Sequence, residues 1–133
     1  MLREAAKRAG SLGATDRCSI FQGDFFEHEF VSRAFDCALI GFFLSHLDEA
    51  QEPRLFGTLH RMLGSSGRFL ILDSAWSAER ARFNAKVELQ RRRLNDWTAF
   101  HIYKRYCDRL DIAGWTGRYD VDVSNTSAPR FSL

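Results

Sequence analysis

The stretch Phe35-Asp36-Cys37-Ala38-Leu39-Ile40-Gly41-Phe42-Phe43-Leu44-Ser45-His46-Leu47 decides the fold of this chain. An acid opens it, an unbroken apolar run follows, and the polar pair Ser45-His46 closes it. Such a run needs no polar alternation if neither face meets water, so residues 36–42 read as a parallel-sheet strand buried on both faces. In open α/β sheets the ligand crevice lies beyond the carboxyl ends of the strands. Ser45 and His46 are therefore expected where the chemistry is.

Working outward, the pattern alternates strand and helix. Residues 1–9 read as an amphipathic helix ended by Gly10, without the apolar core of a signal peptide. Cys18-Ser19-Ile20-Phe21-Gln22 reads as a short strand stopped by Gly23-Asp24, and 25–33 as a loop with one helical turn. Asp48 or Glu49 is placed to cap a helix in which Leu55, Phe56, Leu59, Met62 and Leu63 recur at helical spacing. Gly64-Ser65-Ser66-Gly67 ends that helix, and 68–72 form a second apolar strand with Asp73-Ser74 at its carboxyl end. A long helical region is expected over 77–110, broken near Asn95-Asp96, with Phe83, Val87, Gln90, Leu94 and Trp97 as its stripe. Ala113-Gly114-Trp115 terminates it. Residues 118–123 alternate like an edge strand, and 129–133 add a last short one. Strand, helix, strand, helix with short turns implies βαβ units and a mostly parallel sheet, with an antiparallel pair at the C-terminal end.

At 133 residues the chain suits a single domain, 1–133, and 45% hydrophobic with 27% charged residues is ordinary for a globular protein. No apolar run approaches the ~20 residues that span a bilayer, so no membrane partner is expected. Cys18, Cys37 and Cys107 are odd in number and widely spaced; they read as buried free thiols of a reducing, cytoplasmic protein. No CxxC pair or His/Cys cluster calls for a metal. Between Arg80 and Arg109 nine basic residues face three acids, densest at Arg91-Arg92-Arg93. A patch for nucleic acid is one reading. The solvated face of a long helix is the favoured one, because no RNA-binding motif accompanies the run.

Four of these segments, in order, resemble the class I S-adenosylmethionine (SAM)-dependent methyltransferases. Gln22-Gly23-Asp24-Phe25 looks like the family's third-strand turn, and Phe35-Asp36 with Cys37 to Phe43 like its fourth strand. Leu63-Gly64-Ser65-Ser66-Gly67-Arg68-Phe69-Leu70-Ile71 is similar to its turn into strand five, with Ser66 where a glycine is usual. Leu110-Asp111-Ile112-Ala113-Gly114-Trp115 resembles its helix end before the last two strands. The resemblance implies a Rossmann-like methyltransferase sheet and methyl transfer to a small-molecule hydroxyl or amine. It implies SAM as cofactor, with Gly23, Asp24 and Phe25 at the adenine and Phe42, Phe43 and Ser45 along the cofactor cleft. His46 is the expected catalytic residue, as a base or orienting group for the acceptor. Trp97, Tyr103 and Tyr106 are candidates for an aromatic wall around the acceptor.

The family's glycine-rich first loop and the acid that binds the ribose have no counterpart here. The resemblance therefore implies a fold truncated at the N-terminus, with its first two strands missing. It leaves one edge of the 36–42 strand unpaired, and cofactor binding by this chain alone weak or absent. Two partners are expected for that edge, a second copy in a homodimer or a missing N-terminal half. The alternative to an enzyme is a non-catalytic interaction module that works through the same edge.

Overall fold

The computed structural model describes residues 2–124. The chain begins with α1 (Leu2–Ser11), followed by a long irregular segment to residue 36. Strand β1 (Cys37–Gly41) leads through a 3₁₀ turn (Leu44–His46) into α2 (Gln51–Leu63), and β2 (Arg68–Leu72) follows. β1 and β2 pair in parallel, Cys37 opposite Arg68 and Gly41 opposite Leu72. This is a right-sized βαβ unit, and its helix packs on the inner face of the pair.

The core grows from the stripe on α2. Leu55, Phe56, Leu59, Met62 and Leu63 are all buried, and they meet Leu44, Leu47 and Trp115 in one cluster. Ala38 and Ile40 of β1 and Phe69 and Ile71 of β2 pack against that cluster. Asp48 accepts the backbone N–H of Ala50 and Gln51 and so starts α2. Gly64 ends it at φ +71°, a conformation that favours glycine. Gly67 allows the return turn, since a Cβ there would lie 2.4 Å from the Leu63 Cβ.

Several expectations are corrected. β1 is not buried on both faces: Cys37, Leu39 and Gly41 are exposed while Ala38 and Ile40 are half-buried. The 18–22 segment forms no strand among the described residues. No neighbour pairs with it, and the loop is tied by ring contacts instead, with Phe21 stacked on His28 and His28 edge-on to Phe30. The long helix over 77–110 is a hairpin, β3 (Val87–Arg93) antiparallel to β4 (Ala99–Arg105). Val87, Leu89 and Arg91 alternate with Glu88, Gln90 and Arg92, and this two-residue period, not the helical stripe, is the one the backbone follows. Asn95 and Asp96 lie in the hairpin turn, where Leu94 N–H bonds to Thr98 O.

The antiparallel pair therefore lies at 87–105 and not at the C-terminal end, and among the described residues it is a two-stranded sheet separate from the parallel β1-β2 pair, so the expected single, mostly parallel sheet is not formed. Arg91, Arg92 and Arg93 stand on β3, not on a helix face. Ala113-Gly114-Trp115 lies inside α3 (Arg109–Tyr119) and does not end it; Asp120, at φ +52°, does. Residues 120–123 form no strand, and the strand expected at 129–133 falls outside the described residues. The thiols also differ from expectation: Cys18 and Cys37 are exposed, Cys107 is half-buried, and all three are free.

Candidate functional site

The carboxyl ends of β1 and β2 are joined by one buried polar network. Asp73, just past β2, accepts the Ser45 N–H on Oδ2 (2.9 Å) and the Ser74 N–H on Oδ1 (2.7 Å). Lys104 of β4 reaches in from the hairpin. Its Nζ donates to Ser45 Oγ at 2.5 Å and lies 3.8 Å from Asp73 Oδ1. Both side chains of this ion pair are nearly buried, at 10% and 11% exposure. Burial of two charges is tolerated because each has a partner and the carboxylate keeps two backbone donors.

The adjacent residue of β4 grips the adjacent residue of the turn. His46 Nδ1 lies 3.0 Å from Tyr103 O. A carbonyl oxygen only accepts, so Nδ1 carries the proton in this bond and Nε2 is left with its lone pair when the ring is neutral. The imidazole is exposed. The arrangement thus presents an oriented, solvent-accessible base at the end of a parallel strand. Sequence reading located His46 and Ser45 but missed Lys104, whose signal is obscured when 77–110 is read as helix.

Ser45 itself is buried, at 2% exposure, with its hydroxyl turned to Lys104. Phe42 leaves β1 at φ +53°, strained for a bulky side chain by about 1–2 kcal/mol. The residue is 67% exposed. Such strain at a strand end is held by the Phe42 N–H bond to Leu72 O (2.7 Å).

Phe25 reaches the same end, and Gly23 and Asp24 directly precede it in the chain. The exposed Asp24 accepts the Phe26 N–H on Oδ1 at 2.8 Å, which leaves Oδ2 for another donor. The Phe25 ring meets Phe43 edge-on at 5.6 Å, so the structure does bring these two expected residues together. The proposed aromatic wall is not assembled. Trp97 stands exposed at the hairpin tip under the Arg93 guanidinium, whereas Tyr106 is buried, its hydroxyl accepting from Gln90.

Two further networks anchor the hairpin and α3. Glu52 of α2 is buried, accepts the Tyr119 hydroxyl at 2.7 Å, and pairs with Arg105. Burial and the Glu52 bond push the Tyr119 hydroxyl up to about 12. Asp108 caps α3 by accepting the Leu110 and Asp111 N–H groups, and Lys86 bonds it at 2.7 Å. The Lys86 ammonium and the helix N–H groups hold the Asp108 carboxyl down to about 2. Burial raises the Cys107 thiol to about 11.

A cavity of about 570 Å³ lies at the opposite end of β2, between the Gly64–Phe69 turn and residues 120–124. It contains none of the groups just described. Among the described residues no cluster of His, Cys, Asp and Glu is arranged to hold a metal, and no helix is long and apolar enough to cross a membrane.

With this geometry in place, the solved structures give one informative likeness. The chain is similar in fold to the protein of a DhpI-SAM-HEP complex. The TM-score is 0.63 at 20% sequence identity, over 87% of this chain and 53% of that one. The chain thus spans about half the length of that neighbour. At this identity the likeness shows the fold alone. No protein-family model matches the chain, and no curated protein matches it.

Proposed function

We propose that this α/β unit serves SAM-dependent methyl transfer to a small-molecule hydroxyl or amine. The observation that carries the reading is the oriented His46 at the carboxyl end of β1, in a fold whose solved neighbour is a complex with SAM. The residues present fit the adenine end of that cofactor. Asp24 has a free carboxylate oxygen for an amino group, Gly23 leaves the approach open, and the Phe25 and Phe43 rings offer an apolar edge.

When bound, SAM supplies an electrophilic methyl group on a sulfonium. The part of this chain is positioning and proton removal. His46 Nε2 takes the acceptor's proton, while Tyr103 O holds the ring through Nδ1 and stabilises the imidazolium that forms. Ser45 acts behind the site: with Asp73 and Lys104 it fixes the turn that carries His46. Phe42, exposed and strained, lines the approach to the cofactor.

Contacts to the adenine end alone favour weak binding, in the millimolar range that corresponds to about 4 kcal/mol. Calorimetric titration with SAM tests this directly. Saturable binding that Asp24→Ala removes and His46→Ala leaves intact is the expected result. No heat of binding by the wild-type chain at about 10 mM SAM, where such an affinity would be near saturation, overturns it.

A further inference from the structure

His46 is oriented by a backbone atom, so its orientation depends on where β4 lies. Leu94 N bonds to Thr98 O and Tyr106 N to Lys86 O, so the even-numbered residues of the hairpin bond across it. The odd-numbered residues of β4 turn their backbone groups to the outer edge, and this is how Tyr103 O comes to lie 3.0 Å from His46 Nδ1. A slip of one residue would turn that carbonyl back into the hairpin and exchange the two faces of the strand. A two-stranded hairpin is marginal alone, and among the described residues this one shares no sheet with β1 and β2. The place of β4 against the turn therefore has to be fixed from outside the ladder.

The two residues after Tyr103 do so from opposite faces of the strand. On one face Lys104 reaches Ser45 Oγ and Asp73. On the other Arg105 pairs with Glu52, in the first turn of α2. Glu52 is buried, and its Oε1 accepts the Tyr119 hydroxyl at 2.7 Å and lies 3.6 Å from Arg118 Nη1, which ties the carboxylate to α3. Arg105 Nε is buried with no partner among the described residues, so Glu52 is what holds this guanidinium in place. A buried ion pair adds little net stability over an apolar one, and its best-attested use is to specify register.

We propose that Glu52 and Arg105 are positioning residues for His46. Their ion pair sets the register of β4 that delivers Tyr103 O to Nδ1, and this keeps Nε2 free of a proton in the neutral ring. Leu44 and Leu47, both in the core, hold the other side of the turn, so the turn is clamped between α2 and the hairpin. Without the clamp the choice of tautomer passes to solvent, and an Nε2–H ring cannot take a proton from an acceptor. The use made of that lone pair rests on the methyl-transfer reading, whereas the clamp itself does not.

Nitrogen NMR of the histidine side chains tests it without SAM or substrate, at about pH 8, above the ordinary histidine value near 6.5. Glu52→Gln keeps the shape of the side chain and an oxygen for Tyr119 but removes the charge. It should shift His46 from a dominant Nδ1–H form to a mixture, while His60, on α2 itself, keeps its wild-type signals. Arg105→Met reads the same point if Glu52→Gln does not fold, and Arg105→Lys, which keeps the charge, should restore most of the Nδ1–H signal. Tyr119→Phe removes a bond to the same carboxylate but leaves the pair with β4, so His46 should stay as in the wild type. An unchanged His46 tautomer in folded Glu52→Gln or Arg105→Met, or an equal change in Tyr119→Phe, overturns the proposal. Calorimetry of the wild type with SAM tests the methyl-transfer reading separately, so the two failures are distinguishable.

Discussion

Replacing Lys104 with Met keeps the aliphatic stem and removes the ammonium. Asp73 then retains its bonds from Ser45 N and Ser74 N but loses its countercharge, and Ser45 Oγ loses its donor at 2.5 Å. Breaking one side of a buried ion pair costs ~3–5 kcal/mol. The two backbone donors left on Asp73 and the slight exposure of both side chains place this case at the lower end, about 3 kcal/mol. For a chain of this length that corresponds to a fall in Tm of roughly 10 °C. Urea and thermal unfolding measure it. Lys104→Arg should recover part of the loss, and Ser45→Ala, which removes only a hydroxyl, should cost about 1 kcal/mol. The second readout is His46, because Lys104 and Tyr103 are neighbours on β4. Nitrogen NMR should find the Nδ1–H tautomer dominant in the wild type and mixed in Lys104→Met. A Lys104→Met protein within about 0.5 kcal/mol of wild type, the usual range for surface changes, would refute the buried-network account.

Asp108 is depressed, so its stabilisation is fully present above its ordinary value near 3.8 and is lost as the pH falls through about 2. The Leu110 and Asp111 amides at the start of α3 should therefore stay protected at about pH 3, and loss of protection centred near pH 4 would contradict the Lys86 contact. Cys107, half-buried and raised to about 11, should react with a thiol reagent at mildly alkaline pH far more slowly than exposed Cys18 and Cys37; equal rates in the folded protein would show that it is open to solvent. Gly67→Ala should destabilise by about 1–3 kcal/mol, since the new methyl meets the Leu63 Cβ and carbonyl, and an unchanged unfolding midpoint would show that the turn can shift.

The βαβ unit was legible because its signals agree. The apolar run of β1, the α2 stripe and the glycine turn each point to the same structure, and the strand end located the Ser45-His46 turn. The hairpin was not legible as such. Val87, Gln90, Leu94 and Trp97 happen to satisfy a helical spacing, while Val87, Leu89 and Arg91 satisfy a two-residue one, and cross-strand pairing with β4 decides between them. That choice hid Lys104, because a basic residue on a presumed helix face reads as solvated. The outer face of β1 was misjudged for a different reason. An unbroken apolar run signals that a strand can be buried on both sides, but burial itself depends on what covers it.

An amide-resolved NMR titration of the ¹⁵N-labelled chain with SAM reports on the proposed cofactor site at the end of β1. Saturable shifts confined to Gly23, Asp24, Phe25, Phe42, Phe43 and the Ser45-His46 turn are predicted. No shifts, or shifts gathered instead around the cavity at Gly64–Phe69 and residues 120–124, would contradict it.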